Sequence, residues 1–144
     1  VSRDALDLAR ENLHRHQLAE RVRCVESDLF QAIDTTRFDI ILSNPPYVNR
    51  LDLACMPAEY GAEPALGLGS GDDGLDLTRR ILRDAGAYLA PGGLLFLELG
   101  NSWTALDELL SELPLTWLDF RDGGHGVLLL HAQELPAVAS ALAV

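Results

Sequence analysis

The run Phe38-Asp39-Ile40-Ile41-Leu42-Ser43 stops at Asn44-Pro45-Pro46-Tyr47, and that junction constrains the chain more than any other stretch. Apolar, β-branched residues bounded by a turn signal predict a strand. Two consecutive prolines remove two backbone N–H donors and fix φ, so no ladder can continue through them. What remains of the main chain at this strand end is carbonyl acceptors. Asn44 adds a side-chain carbonyl beside them.

The segments on either side alternate helix and strand. Ser2 is placed to cap a helix whose apolar positions Leu6, Ala9 and Leu13 recur at three and four residues, up to about His16. Val22–Val25 reads as a short strand ending at Glu26-Ser27-Asp28. Residues 44–73 read as irregular and rich in Pro and Gly, a length that is normally functional or mobile. Helical spacing returns over Leu75–Leu89 through Leu77, Ile81, Leu82 and Ala85. Pro91-Gly92-Gly93 then reads as a turn into Leu94–Leu99, an apolar strand of the kind buried on both faces. Ser102 is placed to cap a helix through Leu110. Leu115–Phe120 and Gly126–His131 flank Asp122-Gly123-Gly124 as a hairpin, and a short helix or frayed tail is expected after Pro136. This order implies an α/β fold, a mostly parallel, doubly wound sheet ending in an antiparallel hairpin. One domain is expected over residues 1–144.

Composition excludes several classes. Apolar residues make up 48% of the 144, too many for a disordered chain. No apolar run approaches the ~18 residues that cross a bilayer, and no charged-then-apolar leader opens the chain. A cytoplasmic protein is expected. The formal charge is −11, and every basic residue is an Arg, with no basic tract. That balance argues against direct nucleic-acid binding and suits a basic partner, although acidity more often serves only solubility. Cys24 and Cys55 lack metal-ligand spacing, and Cys24, in an apolar stretch, is expected in the core. His14, His16, His125 and His131 have no ligand set around them, so no metal is expected. The only methionine is Met56. Residue 1 is therefore not a natural start, and a piece of a longer protein is expected.

In open α/β sheets, ligands sit beyond the carboxyl ends of the strands. Two such ends are polar here: Ser27-Asp28-Leu29-Phe30 and Ser43-Asn44-Pro45-Pro46-Tyr47. A rigid pair of acceptors suits a planar NH₂ group held by both hydrogens, and Tyr47 offers it a flat face. The plainer reading is an Asn-Pro turn. Gly67-Leu68-Gly69-Ser70-Gly71 matches G-x-G-x-G on paper, but no apolar strand precedes it and Asp72-Asp73 would repel a cofactor carboxylate. It reads as a substrate-side loop.

Asn44-Pro45-Pro46-Tyr47 resembles the signature of class I, Rossmann-like methyltransferases that use S-adenosylmethionine and act on exocyclic or amide nitrogen. Glu63-Pro64-Ala65-Leu66-Gly67-Leu68, Gly71–Leu77 and Arg80-Ile81-Leu82 are similar to the HemK/Prm protein-glutamine methyltransferases. Thr116–Val127 resembles the branch acting on large-ribosomal-subunit protein three. The resemblance runs from Ser2 to about Leu130, the C-terminal part of that catalytic domain. It implies that Asp28 accepts from the cofactor's adenine amino group, with Leu29 beside the ring and Asn44 near the methionine end. It implies that Asn44 and the Pro45 carbonyl take the two hydrogens of a substrate amide, with Pro46 and Tyr47 lining the place and Tyr47 packing on the amide plane. The implied substrate is a glutamine of a basic ribosomal protein. The alternatives are a release factor or adenine in DNA, whose amino group has the same geometry. The family's Gly-rich loop and the acid ending its second strand have no counterpart here. The chain alone is therefore expected to be inactive, to bind the cofactor weakly, and to self-associate through an exposed sheet edge.

Overall fold

Ser2 starts the first helix as its position predicts: its hydroxyl accepts from the Ala5 N–H at 3.3 Å. The computed structural model describes residues 2–34, 36–49 and 69–143. The readings for Cys55, Met56 and the stretch from Glu63 to Leu68 lie outside these residues. The chain forms two compact units, residues 1–36 and 37–144.

In the first unit, α1 runs Arg3–Arg15, with Asp4 in its first turn and His14 and Arg15 in its last, each matched to the helix dipole. Leu6, Ala9 and Leu13 share a half-buried stripe. Val22–Val25 does not form the expected strand. A strand is completed only by a neighbour, and no other strand lies in this unit among the described residues. Ion pairs hold the segment instead: the Arg3 Nε lies 3.1 Å from both carboxylate oxygens of Glu26, and Arg23 is 3.8 Å from Asp34. Cys24 is half-buried and not in a core, since no described residue of this unit is fully buried.

The second unit begins with β1, Phe38–Ser43, as its composition predicts. Then come α2 (Asp76–Asp84, continued by a 3₁₀ turn over Ala85–Ala87), β2 (Leu89–Glu98), a 3₁₀ turn over Gly100–Ser102 and α3 (Trp103–Leu109). The hairpin β3 (Thr116–Leu118) and β4 (Val127–His131) follows, and α4 (Leu135–Ala141) carries Pro136 in its first turn. The sheet order is β1-β2-β4-β3, with β1 parallel to β2 and the other two pairs antiparallel. This is the Rossmann-like α/β class with its terminal hairpin. Pro91-Gly92-Gly93 is not a turn before the strand but part of β2. The ladder pairs Phe38 with Leu89 and resumes at Ile40 with Leu94, so the three residues bulge out. Gly93 permits this because a Cβ there would crowd the Phe38 and Asp39 carbonyls at 3.0 and 3.1 Å.

Alternation along the strands sends Leu95 and Leu97 of β2, and Leu128 and Leu130 of β4, to one buried face. Ile81, Leu82, Leu106, Leu135 and Val138 from the helices complete the core. The other face leaves Ile40 and Leu42 exposed at 55% and 74%, on a strand that is an edge of the described sheet. Trp117 ties the hairpin to α3, edge-to-face on Trp103 and donating to Asp107 at 2.8 Å.

The entry to α2 is fastened twice. Ser70 Oγ accepts from the Leu77 N–H, and Asp73 accepts from the Leu75 N–H and from Arg79. The Arg79 guanidinium holds the Asp73 carboxyl below its usual range, against partial burial, with the Leu75 bond assisting. A depressed carboxyl stabilises the fold above its unfolded value near 3.8 and loses that contribution as pH falls through its folded value. Asp73→Asn should cost about 0.5–1 kcal/mol at pH 7, a modest figure because solvent screens both partners. Urea denaturation at pH 7 and pH 3 should show the gap to wild type shrinking at the lower pH; an equal gap at both would contradict it.

Candidate active site

β1 delivers the site. Its last ladder pair is Ser43 with Leu97, so the next residue, Asn44, emerges at the strand tip level with Glu98, the last residue of β2. Asn44 is exposed, Pro45 is buried, and Pro46 and Tyr47 are half-buried. The motif's carbonyls divide into two sets. Those of Tyr47 and Val48 are occupied: Tyr47 accepts from Ser102 Oγ at 2.6 Å, and Val48 from the Ser70 N–H at 3.1 Å. Among the described residues, no hydrogen bond reaches the Asn44 carboxamide or the Pro45 carbonyl.

Ser102 therefore departs from its expected role. Its side chain makes no cap bond to α3, because its hydroxyl reaches the Tyr47 carbonyl instead. Gly100 (φ 46°) lies directly against the Tyr47 ring, where a Cβ would overlap Cε2. Gly126 in turn lies against Gly100, and its carbonyl accepts from the Leu99 N–H at 2.8 Å. Val48 also pairs with Gly69 through a parallel bridge.

Asn44 opens onto a cavity of about 330 Å³ shared with Leu42, Ser43, Phe96, Glu98, Phe120 and Val127. Its walls are largely apolar, and Glu98 supplies a carboxylate beside the Asn44 amide. Such a cleft, with few polar groups at one end, suits a small side chain entering from solvent.

Residues 1–59 match the family model of the methyltransferase small domain. Over 135 residues, 94% of this chain, the sequence is 52% identical to the "Ribosomal protein uL3 glutamine methyltransferase" of Francisella tularensis subsp. tularensis (strain SCHU S4 / Schu 4). It is 44% identical over the same share to the protein of that name from Neisseria meningitidis serogroup A / serotype 4A (strain DSM 15465 / Z2491). Over nearly its whole length, the chain is thus similar to curated methyltransferases. It spans 43% and 44% of the lengths of these two curated relatives.

The second pair of expected site residues, Asp28 and Leu29, lies in the first unit. Ser27 organises them: its hydroxyl donates to the Leu29 carbonyl at 2.7 Å and accepts from the Ala32 N–H at 2.9 Å. Leu29 adopts φ 51°, a left-handed turn conformation, and the Gln31 amide lies 3.4 Å from Asp28 Oδ2. Both residues are half-buried. The structure thus places Asn44 to Tyr47 together in one unit and Asp28 with Leu29 in the other.

Sequence reasoning missed Glu98, Ser102, Gly74 and Gly100. Register could have found Glu98, since Leu94–Leu99 was expected as a strand beside Phe38–Ser43. Gly100→Ala should destabilise the fold by about 1–3 kcal/mol, by driving a methyl into the Tyr47 ring at a left-handed position. An unchanged urea midpoint would contradict this packing.

Proposed function

We propose that the protein transfers a methyl group from S-adenosylmethionine to the side-chain amide nitrogen of a glutamine in ribosomal protein uL3. One observation carries the reading: among the described residues, Asn44 and Pro45 keep two acceptors open while the Tyr47 and Val48 carbonyls beside them are tied down. The printed names of the two relatives supply the substrate. Ribosomal protein modification in turn points to action in the cytoplasm.

An amide nitrogen is a poor nucleophile because its lone pair is conjugated with the carbonyl. The amide rotation barrier of ~18–20 kcal/mol gives the scale of that conjugation. Asn44 Oδ1 and the Pro45 carbonyl oxygen accept the two N–H hydrogens, drawing the nitrogen toward a pyramidal shape and aiming its lone pair. Tyr47 packs on the amide plane, and Pro46 holds the spacing. These residues contribute positioning and electrostatics. The proton leaves after transfer, so no strong base is required. Glu98 places negative charge in the same cavity, which complements a basic protein segment and the positive charge that builds on nitrogen.

When bound, S-adenosylmethionine supplies an electrophilic methyl on a sulfonium. The residues present suit it. Asp28 is a half-buried carboxylate on a turn pinned by Ser27, a group of the chemistry that accepts from an adenine amino group, and Leu29 follows it on the same turn. The exposed apolar side chains on β1, at an edge of the described sheet, also favour self-association.

The test uses the full-length gene product and radiolabelled S-adenosylmethionine, with unmethylated uL3, a release factor and duplex DNA offered side by side. Label on uL3 is expected. Label on the release factor would keep the chemistry and overturn the substrate, and label on DNA alone would overturn the amide reading. Asn44→Ala should lower kcat by about 10²–10³-fold, the cost of removing one preorganised polar group from a reacting centre, with the fold intact. Near-normal turnover would remove Asn44 from the mechanism.

A further inference from the structure

The acceptor pair of Asn44 and Pro45 can act only if its direction is set, and little of the chain between Ser43 and Tyr47 is free to turn. The rings of Pro45 and Pro46 fix their own φ. Asn44 and Pro45 each precede a proline, which confines both to extended backbone. Upstream, the segment is anchored by the Ser43–Leu97 ladder pair. The backbone rotations that remain are the ψ of Pro46 and those of Tyr47. The Ser102 hydroxyl, donating to the Tyr47 carbonyl at 2.6 Å, closes them.

The surroundings leave that carbonyl no other place. Ser102 is 6% exposed. Gly74 (φ 79°), just before α2, is so close that a Cβ there would overlap both the Tyr47 oxygen and Ser102 Oγ. On the ring side, Gly100 meets Tyr47 directly. The start of α3, the approach to α2 and the motif thus converge on one peptide group.

We propose that Ser102 is a positioning residue for methyl transfer. Its bond to the Tyr47 carbonyl is a latch that, through two rotation-poor prolines, aims the Asn44 and Pro45 acceptors at the substrate amide. The inference rests on the reading of those acceptors given above. Ser102 itself touches neither substrate nor cofactor.

The experiment compares Ser102→Ala, Ser102→Cys and Ser102→Thr with wild type and Asn44→Ala in the full-length protein, using purified uL3 and kcat per folded molecule. Ser102→Ala should lower kcat about tenfold, the equivalent of one such hydrogen bond, with KM for S-adenosylmethionine unchanged. Ser102→Cys keeps the volume but donates weakly, so it should fall with Ala. It also carries the test if the Ala variant does not fold. Ser102→Thr retains the hydroxyl and should recover most of kcat. Packing alone would lower thermal stability while leaving kcat per folded molecule at the wild-type value. That result in the Ala and Cys variants, with Asn44→Ala impaired, would overturn the latch and leave the site. Wild-type turnover in Asn44→Ala would overturn the acceptor reading and the latch with it.

Discussion

The parallel ladder between β1 and β2 is the constraint on which the rest depends. Its register, Ile40 with Leu94 through Ser43 with Leu97, decides which side chains reach the tip of the sheet together. A slip of one residue would turn Ile41 and Ser43 to the opposite face and take Asn44 out of line with Glu98. The ladder survives its own irregularity because Pro91-Gly92-Gly93 bulges out before the register is set. Burial of Leu95 and Leu97 on one face then holds β2 in place, so the core and the site share one strand.

From that strand the polar groups fall into order by what already occupies them. Two prolines end β1 without donors, and the carbonyls beyond them are claimed by Ser102 and Ser70. Of the acceptors left over, Asn44 lines a largely apolar cavity, and Pro45 follows it in the chain. On the proposed reading, a glutamine amide, with two hydrogens in one plane, would complement such a pair, and Glu98 adds a carboxylate to the cavity that Asn44 lines. The same tip leaves Phe120 exposed at 50% on the hairpin side, where a protein segment could lie across it.

Much of this was legible in the residues because it is local. Ser2 with its stripe, Phe38–Ser43 and the hairpin around Asp122-Gly123-Gly124 each carry their own signal, and each formed. Val22–Val25 did not, because a strand depends on a neighbour that its own letters cannot provide. Pro91-Gly92-Gly93 looked like a turn because turns and bulges use the same residues, and only the pairing of Phe38 with Leu89 tells them apart. The site divides in the same way. Asn44 to Tyr47 announce themselves through consecutive prolines. Ser102 also fits a helix cap, and its 55-residue reach to Tyr47 is invisible in sequence. Gly74 and Gly100 matter only through what a Cβ would strike.

The central claim is that Asn44 and Pro45 hold a planar amide by both hydrogens. The most direct measurement is a crystal structure of the full-length protein with a glutamine-containing uL3 peptide and a non-reactive cofactor analogue. The glutamine nitrogen should lie within hydrogen-bond distance, about 2.7–3.2 Å, of both Asn44 Oδ1 and the Pro45 carbonyl oxygen. A glutamine held by its carbonyl, with its nitrogen turned away from those two atoms, would contradict it.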